Sequence, residues 1–182
     1  MNIVVAITGA SGAIYARQCI ELLLADSQVH HIALILSRHA RDVIAAEGVT
    51  LPESPRITEY ANDDMWSSVA SGSANWDAMI VVPASMGTAG RIASGVSQSL
   101  IERAADVMLK ERRRLVLVVR EAPYSLIHLR NLTTITEAGG IIIPASPSFY
   151  FEPHDIETLT MTVSTRAVEL LGISVTHRKW GE

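Results

Sequence analysis

The chain has 182 residues, of which 48% are hydrophobic and 19% charged, and this balance predicts one globular domain over residues 1–182 rather than a disordered chain. The formal net charge of −4 excludes a global basic surface for nucleic-acid binding, and the single cysteine, Cys19, excludes an internal disulfide and a multi-thiolate metal site. No apolar run approaches the ~18 residues of a membrane span, and the N-terminus lacks the basic start of a secretion signal, so we expect a cytoplasmic protein without a membrane segment.

Short apolar runs rich in β-branched residues alternate with amphipathic helical patterns along the chain. The runs predict five buried strands, at Ile3 to Ile7, Ile32 to Leu36, Ala78 to Val82, Leu115 to Val119 and Gly140 to Ile143. The helical patterns cover Ile14 to Ala25, Arg38 to Ala46, Ser99 to Glu111, Ser125 to Ala138 and about Asp155 to Leu171. Such alternation implies right-handed crossovers, so we predict an α/β fold with a mainly parallel sheet covered on both faces, a three-layer sandwich.

The stretch from Gly48 to Asp77 is the least regular part of the chain. It carries Pro52, Pro55 and several serines, and no strong period. We interpret it as a long excursion that forms a lid or an oligomer contact.

The carboxyl ends of the predicted strands carry the chemistry, because ligands of parallel sheets bind there. Three of the five ends are rich in Gly, Ser and Thr: TGASGA (8–13), PASMGT (83–88) and PASPSFY (144–150). Backbone N–H groups and hydroxyls at helix N-termini suit phosphate. The first loop lacks both the third glycine of the dinucleotide fingerprint and the lysine of a P-loop, so each loop alone is equally typical of a capped strand-to-helix turn. Two such loops at neighbouring strand ends favour a phosphorylated ligand.

Cationic residues further indicate which kind of ligand binds at the strand ends. Arg103 and Lys110 are seven residues apart and share one helix face, whereas the run 112–114 at the helix end is typical of a solvated surface. Arg120 directly follows an apolar strand, where it serves either a salt bridge or, as we favour, a phosphate or flavin contact. Glu121 beside a bound anion would be costly unless it were protonated or moved a proton.

These segments together resemble the flavin prenyltransferases of the UbiX type, a family long called phenylacrylic or hydroxybenzoate decarboxylases. The resemblance rests on TGASGAIY, SRHA, PASMGT, LIERAADVMLKERR followed by LVLVVREAPYSLIHLRNL, PASPSFY and RKWGE, in that order. It implies a flavodoxin-like, Rossmann-like sandwich assembled as a dodecamer. The implied reaction joins the dimethylallyl group of dimethylallyl monophosphate to reduced FMN, at N5 and then C6, and the prenylated FMN serves a separate UbiD-type decarboxylase.

The resemblance also implies roles for individual residues. The implied FMN contacts are Gly9, Ala10, Ser11, Ser37, Ser85, Met86, Gly87, Thr88 and Arg120. The implied prenyl-phosphate contacts are Arg103, Lys110, Arg120, Tyr150 and Arg166. The implied catalytic residues are Glu121 and Glu47 in proton handling, Ser11, and the C-terminal Trp180 near the prenyl group. No metal is implied, because clustered cations stabilise a leaving phosphate and an aromatic face can stabilise the prenyl cation.

Three positions depart from the family pattern, and two other functions compete. Ala84, Ser68 and Ser99 stand where many relatives have Cys, Pro and Asn, and Ser99 could change an inter-subunit contact.

One competing function is that of an FMN-dependent decarboxylase of the cysteine-decarboxylase superfamily, although its PxMNxxM-like substrate clamp is absent from the sequence. The other is a non-catalytic flavin carrier, which would leave Lys110, Tyr150 and Arg166 unexplained.

Overall fold

The computed structural model describes residues 1–177 and residue 181. Its six strands are β1 (Asn2–Ile7), β2 (His31–Leu36), β3 (Ile57–Tyr60), β4 (Ala78–Ala84), β5 (Arg114–Val119) and β6 (Ile141–Pro144). Its α-helices are α1 (Ala13–Ala25), α2 (Ala40–Ala46), α3 (Met86–Ala93), α4 (Leu100–Lys110), α5 (Leu126–Glu137) and α6 (Ile156–Leu170), and a 3₁₀ turn covers Ser68–Ala70. None of the helices in this described part of the chain is long and apolar enough to cross a membrane.

All strand pairs are parallel, and the sheet order is β3-β2-β1-β4-β5-β6. This is the strand order of Rossmann-type sheets, and it confirms the predicted α/β fold. The chain moves outward in one direction from β1 to β3 and in the other from β4 to β6. The two halves therefore diverge between β1 and β4, and the loops that follow these strands leave a crevice at the carboxyl edge.

The sheet is covered on both faces because alternate side chains of each inner strand point to opposite sides. Ile3, Val5 and Ile7 of β1 pack with α1 and α6, whereas Val4 and Ala6 belong to the cluster formed with α3, α4 and α5. All five of these side chains are fully buried or nearly so. This two-sided burial explains why the strands appear in the sequence as continuous apolar runs.

Cys19 belongs to the hydrophobic core. Its side chain is fully buried on α1 in the cluster with α6, and burial raises the pKa of the thiol to about 12. A thiol with so high a pKa is a poor nucleophile.

The prediction of five strands was wrong by one. β3 lies inside the irregular stretch from Gly48 to Asp77 and pairs with β2 at the edge of the sheet. Its sequence, ITEY, exposes Thr58 and Glu59, so it shows no apolar run. The opposite edge strand, β6, is only half-buried in the single chain, which corrects the expectation that it is buried on both faces. Helix α3 was also missing from the predicted helices, because it has only eight residues and two of them are glycines.

The basic run 112–114 is only partly a solvated surface, which corrects the expectation that all three arginines are solvated. Arg113 donates hydrogen bonds to the carbonyl oxygens of Gly72 at 2.7 Å and Ala74 at 3.0 Å. Arg114 donates to the carbonyl of Leu171 at 2.9 Å, at the C-terminal end of α6. These two arginines therefore bind backbone carbonyls of the loop before β4 and of the C-terminal end of α6.

Candidate functional site

A cavity of about 380 Å³ opens beyond the carboxyl ends of β1, β2 and β4, where the strand order reverses. We call it the strand-end cavity. It is lined by Gly9, Ser37, Arg38, His39, Asn62, Ser85, Thr88, Arg91, Ser99 and Glu102. Hydroxyls and cationic side chains dominate this lining, which suits a phosphorylated ligand rather than an apolar one.

Buried Thr8 fixes the first two loops of the site to each other. Its hydroxyl donates to the carbonyl of Pro83 at 2.7 Å and accepts the backbone N–H of Ser85 at 2.9 Å. Gly9 then lies so close to α2 that a Cβ at this position would be 3.1 Å from the Cβ of His39. The loops after β1 and β4 are thus joined by hydrogen bonds, and the loop after β2 packs closely against the first.

The PASMGT loop starts α3 with Ser85 as its N-cap. The Ser85 hydroxyl accepts the Thr88 N–H at 3.4 Å, and the two hydroxyls lie 3.1 Å apart. The capping role weighed for Ser85 in the sequence is confirmed. The Met86 side chain is buried in the core, so only the backbone of this residue can reach a ligand.

Glu47 caps the N-terminus of α1 from the end of α2. Its carboxylate accepts the N–H of Gly12 at 2.9 and 3.1 Å and the N–H of Ala13 at 2.7 Å. Partial burial opposes ionisation of Glu47, but hydrogen bonds from Ser11, Gly12 and Ala13 and the charge of Arg120 together lower its pKa. Glu47 is therefore a carboxylate at neutral pH, a form that accepts protons rather than donates them.

Arg120 reaches from the end of β5 past β4 to the first loop. Its Nε donates to the carbonyl oxygen of Ser11 at 3.3 Å, which places its charge close to Glu47. Glu121 instead accepts the N–H of Ala122 at 3.0 Å. Within residues 1–177, no ion pair joins Arg120 to Glu121, so the two neighbours act separately. Arg120, Ser11 and Glu47 therefore form one cluster at the first loop, and none of the three is among the residues that line the strand-end cavity.

Sequence reasoning missed Arg91, Glu102 and Asn62 in this site. Glu102 is 3% exposed, forms an ion pair with Arg91 and accepts the N–H groups of Gln98 and Ser99, each at 3.0 Å. The S-x-x-E spacing of Ser99 and Glu102 is a helix-start signal that could have revealed the buried carboxylate. The position of Arg91 on the cavity wall has no such local signal.

Two of the predicted phosphate ligands belong to α4, Arg103 in its first turn beside Glu102 and Lys110 at its C-terminal end near the amino ends of the strands. Lys110 ends α4 only four residues before β5 begins, and it forms an ion pair with Glu111. Arg103 donates to the carbonyl of Ala70 at 3.0 Å and to Asp106 at 2.7 Å. Because β5 spans about 20 Å, Lys110 does not meet Arg120 within one chain.

Arg166 lines a second, more apolar cavity of about 500 Å³ between β6 and α6, together with Phe151, Met161 and His177. Its guanidinium pairs with Glu169 at 3.2 Å, and Glu169 also contacts the Nε2 of His177 at 2.9 Å. The structure therefore separates Arg166 from the strand-end cavity in the single chain.

Two predicted site residues, Tyr150 and Trp180, and the prediction of no metal ion remain to be compared with the structure. Tyr150, in the loop after β6, is 68% exposed. Trp180 lies outside the described residues. In the described part of the chain, no group of three or more His, Cys, Asp or Glu residues is placed to hold a metal ion.

Comparison with known proteins finds the same family that the motifs indicated. The Flavoprotein family model matches residues 1–171. The flavin prenyltransferase UbiX of Methanocaldococcus jannaschii is 40% identical over 185 residues, covering 100% of this chain and 99% of the relative.

Two solved structures are similar over nearly the whole chain. One is AnUbiX (PadA1) in complex with FMN and dimethylallyl pyrophosphate, with a TM-score of 0.89 and 40% identity over 98% of each chain. The other is a dodecameric FMN-dependent UbiX-like decarboxylase from Escherichia coli O157:H7, with a TM-score of 0.92 and 34% identity over the full length of both chains.

Proposed function

The chain belongs to the Flavoprotein family and, within it, to the flavin prenyltransferases, and from this membership we propose that it joins the dimethylallyl group of dimethylallyl phosphate to reduced FMN. The transfer forms bonds at N5 and then C6 of the flavin and releases phosphate. The observation that carries the proposal is the 40% identity to flavin prenyltransferases over the whole chain. It supports a transferase over the decarboxylase and flavin-carrier alternatives.

The strand-end cavity has the donor set that a flavin with a phosphate group needs. Hydroxyls of Ser37, Ser85 and Thr88 line it, and the first turn of α3 begins at its wall. Such helix starts bind phosphate through backbone N–H groups. We propose that FMN contacts Gly9, Ala10, Ser11, Ser37, Ser85, Met86, Gly87, Thr88 and Arg120.

The cations predicted to bind the prenyl phosphate lie on different elements of the chain. Arg120 stands at the carboxyl edge of the sheet, whereas Arg103 and Lys110 belong to α4 and Arg166 belongs to α6. We propose that a second copy supplies the α4 residues, so that the complete donor site, with Tyr150 and Arg166, forms only in a homo-oligomer. The dodecameric structure of the Escherichia coli relative supports a dodecamer for this chain.

The charges in the site suit departure of phosphate from an allylic carbon. The leaving group gains negative charge, which preorganised guanidinium and ammonium groups stabilise. The Glu121 carboxylate accepts the adjacent N–H of Ala122, and we propose that it exchanges a proton with the ligand. Glu47 already holds the start of α1, and we propose that it accepts a proton or orients Ser11. Trp180 is proposed to flank the prenyl group.

Three further parts of the proposal rest on the family. The product, prenylated FMN, is proposed to pass to a UbiD-type decarboxylase. Residues 1–182 are proposed to form one flavoprotein domain, of which the family model covers 1–171. The cytoplasmic location stays a prediction of the sequence.

Mass spectrometry of the flavin tests the proposal directly. The purified protein is incubated without oxygen with reduced FMN and dimethylallyl monophosphate, and the flavin is extracted. We expect FMN carrying one five-carbon unit. Unchanged FMN would contradict the proposal and leave a flavin carrier, whereas release of carbon dioxide from a cysteine-ended peptide would favour the decarboxylase alternative.

A further inference from the structure

An ion pair between Arg91 and Glu102 joins α3 to α4 at the wall of the strand-end cavity. The Nε of Arg91 donates to the Glu102 carboxylate, and its Nη2 donates to the Thr88 hydroxyl at 3.3 Å. Both residues line the cavity beside Ser37 and Ser85. The ion pair therefore places a fixed cation beside the hydroxyls of Ser85 and Thr88.

Glu102 is held too firmly to be a surface charge. It is 3% exposed, and its second oxygen accepts the N–H groups of Gln98 and Ser99 at 3.0 Å each. A buried carboxylate is tolerated only with such partners. Because these contacts fix the carboxylate, they also fix the Nε edge of Arg91.

Arg91 keeps part of its guanidinium open to the cavity. Its side chain is 46% exposed, and the contacts to Glu102 and Thr88 use two of its five N–H donors. Its Nη1 lies 3.5 Å from the place where a Cβ on Gly87 would be, next to the first turn of α3. A guanidinium, two hydroxyls and a helix start thus converge, and this combination matches a phosphate monoester.

We propose that Arg91, oriented by Glu102, binds the phosphate group of FMN and makes this protein select FMN over riboflavin. The inference rests on the proposed function, since it assumes a flavin in the strand-end cavity. Arg91 touches the ligand directly, whereas Glu102 is a positioning residue. Without Arg91, the Glu102 carboxylate would repel the phosphate that the hydroxyls attract.

Flavin titration separates a phosphate contact from a general structural role. FMN and riboflavin differ only in the phosphate, so each is titrated into wild-type protein and Arg91→Met and followed by flavin fluorescence. We expect roughly 10- to 100-fold weaker FMN binding in the variant, the range for a lost charge-assisted hydrogen bond. Riboflavin affinity should stay at the wild-type value. Equal weakening of both flavins would overturn the proposal.

A double variant keeps the test valid if Arg91→Met folds poorly. Arg91→Met together with Glu102→Gln removes both charges and leaves no unpaired buried carboxylate. We expect this double variant to fold and still to bind FMN more weakly than the wild-type protein, with riboflavin affinity unchanged. Wild-type FMN affinity in the double variant would show that Arg91 merely neutralises Glu102, and would overturn the proposal.

Arg17→Met is the matched control, because Arg17 also pairs with carboxylates, Glu21 and Glu157, but lies outside the cavity. It should leave both affinities unchanged. If the wild-type protein binds neither flavin, the proposed function fails and the inference falls with it. If wild-type protein binds FMN and riboflavin equally well, the inference alone is wrong.

Discussion

Glu47, at the C-terminal end of α2, accepts the backbone N–H of Gly12 at 2.9 Å and so caps the start of α1. The N-terminus of α1 carries a partial positive charge, which a carboxylate stabilises. Gly12 has a φ of 112°, and a Cβ there would lie 2.8 Å from the ring of Tyr15, so only glycine fits this turn. The α2 and α1 ends of the site are therefore locked together through one side chain.

The Glu47 contact predicts a pH-dependent contribution to stability. Burial alone would raise the pKa of Glu47, but its hydrogen bonds and Arg120 lower it below the value in the unfolded chain. The contribution is therefore present above the unfolded pKa and is lost as pH falls through the folded pKa. We expect Glu47→Gln to lower the free energy of unfolding by about 0.3–1 kcal/mol at neutral pH. Urea unfolding at neutral pH and below both pKa values measures this, and an equal loss at both would contradict it.

Glu121 and Arg120 should respond differently to substitution. Glu121→Gln keeps the shape of the side chain but cannot exchange a proton, so we expect the prenyl-transfer rate to fall by ~10²–10⁴-fold with FMN affinity unchanged. Arg120→Ala should instead weaken binding of FMN or of the donor, because a cation and the contact to Ser11 are lost. Single-turnover prenylation of reduced FMN, with flavin titrations alongside, separates the two. Near-wild-type turnover in Glu121→Gln would leave that residue without a proton-transfer role.

Lys110 and Arg120 lie at opposite ends of β5, and if they act in the same site, variants of the two residues should complement each other between subunits. If each site takes Lys110 from one copy and Arg120 from another, Lys110→Met and Arg120→Ala should each be inactive alone. Oligomers reassembled from a mixture of the two variants should recover part of the activity, because some sites then contain both wild-type residues. Each variant reassembled with itself is the control. A mixture as inactive as its components would argue against a shared site.

Turnover should not require a divalent metal ion. Cationic side chains are proposed to stabilise the leaving phosphate in the role that Mg²⁺ has in other phosphate chemistry. We therefore expect the prenylation rate to be the same with EDTA as without it. Loss of activity in EDTA that added Mg²⁺ restores would contradict this prediction.

Sequence patterns revealed those parts of the fold in which burial is strong. The central strands β1, β4 and β5 are buried on both faces, so their apolar runs were unmistakable, and Thr8, Ser85 and Arg120 could be placed at strand ends from chain order alone. Edge strand β3 was missed because it is short and because Thr58 and Glu59, which point to opposite faces, are both exposed. The position of Lys110 near the amino ends of the strands could have been predicted from the sequence, since β5 starts four residues later. The pairing of Arg91 with Glu102 could not have been predicted, because it depends on how α3 and α4 pack together.

The Glu169 carboxylate binds two side chains that line the second cavity, those of Arg166 and His177. It is paired with Arg166 at 3.2 Å and with His177 at 2.9 Å. Burial opposes its ionisation, but the hydrogen bonds from His177 and Arg166 outweigh burial and lower its pKa, so it stays a carboxylate at neutral pH. If Arg166 binds the donor phosphate, Glu169 acts by positioning that guanidinium.

Glu169→Gln should therefore raise the KM for dimethylallyl phosphate by about tenfold and leave kcat and FMN affinity nearly unchanged, the range expected for one weakened charge-assisted contact. Steady-state kinetics with the donor varied measures the split. Glu21→Gln is the control, since Glu21 also pairs with an arginine, Arg17, but on the outer side of α1. A fall in kcat at unchanged KM would place Glu169 in the chemical step instead, and no change in either would mean that Arg166 needs no support to bind the donor.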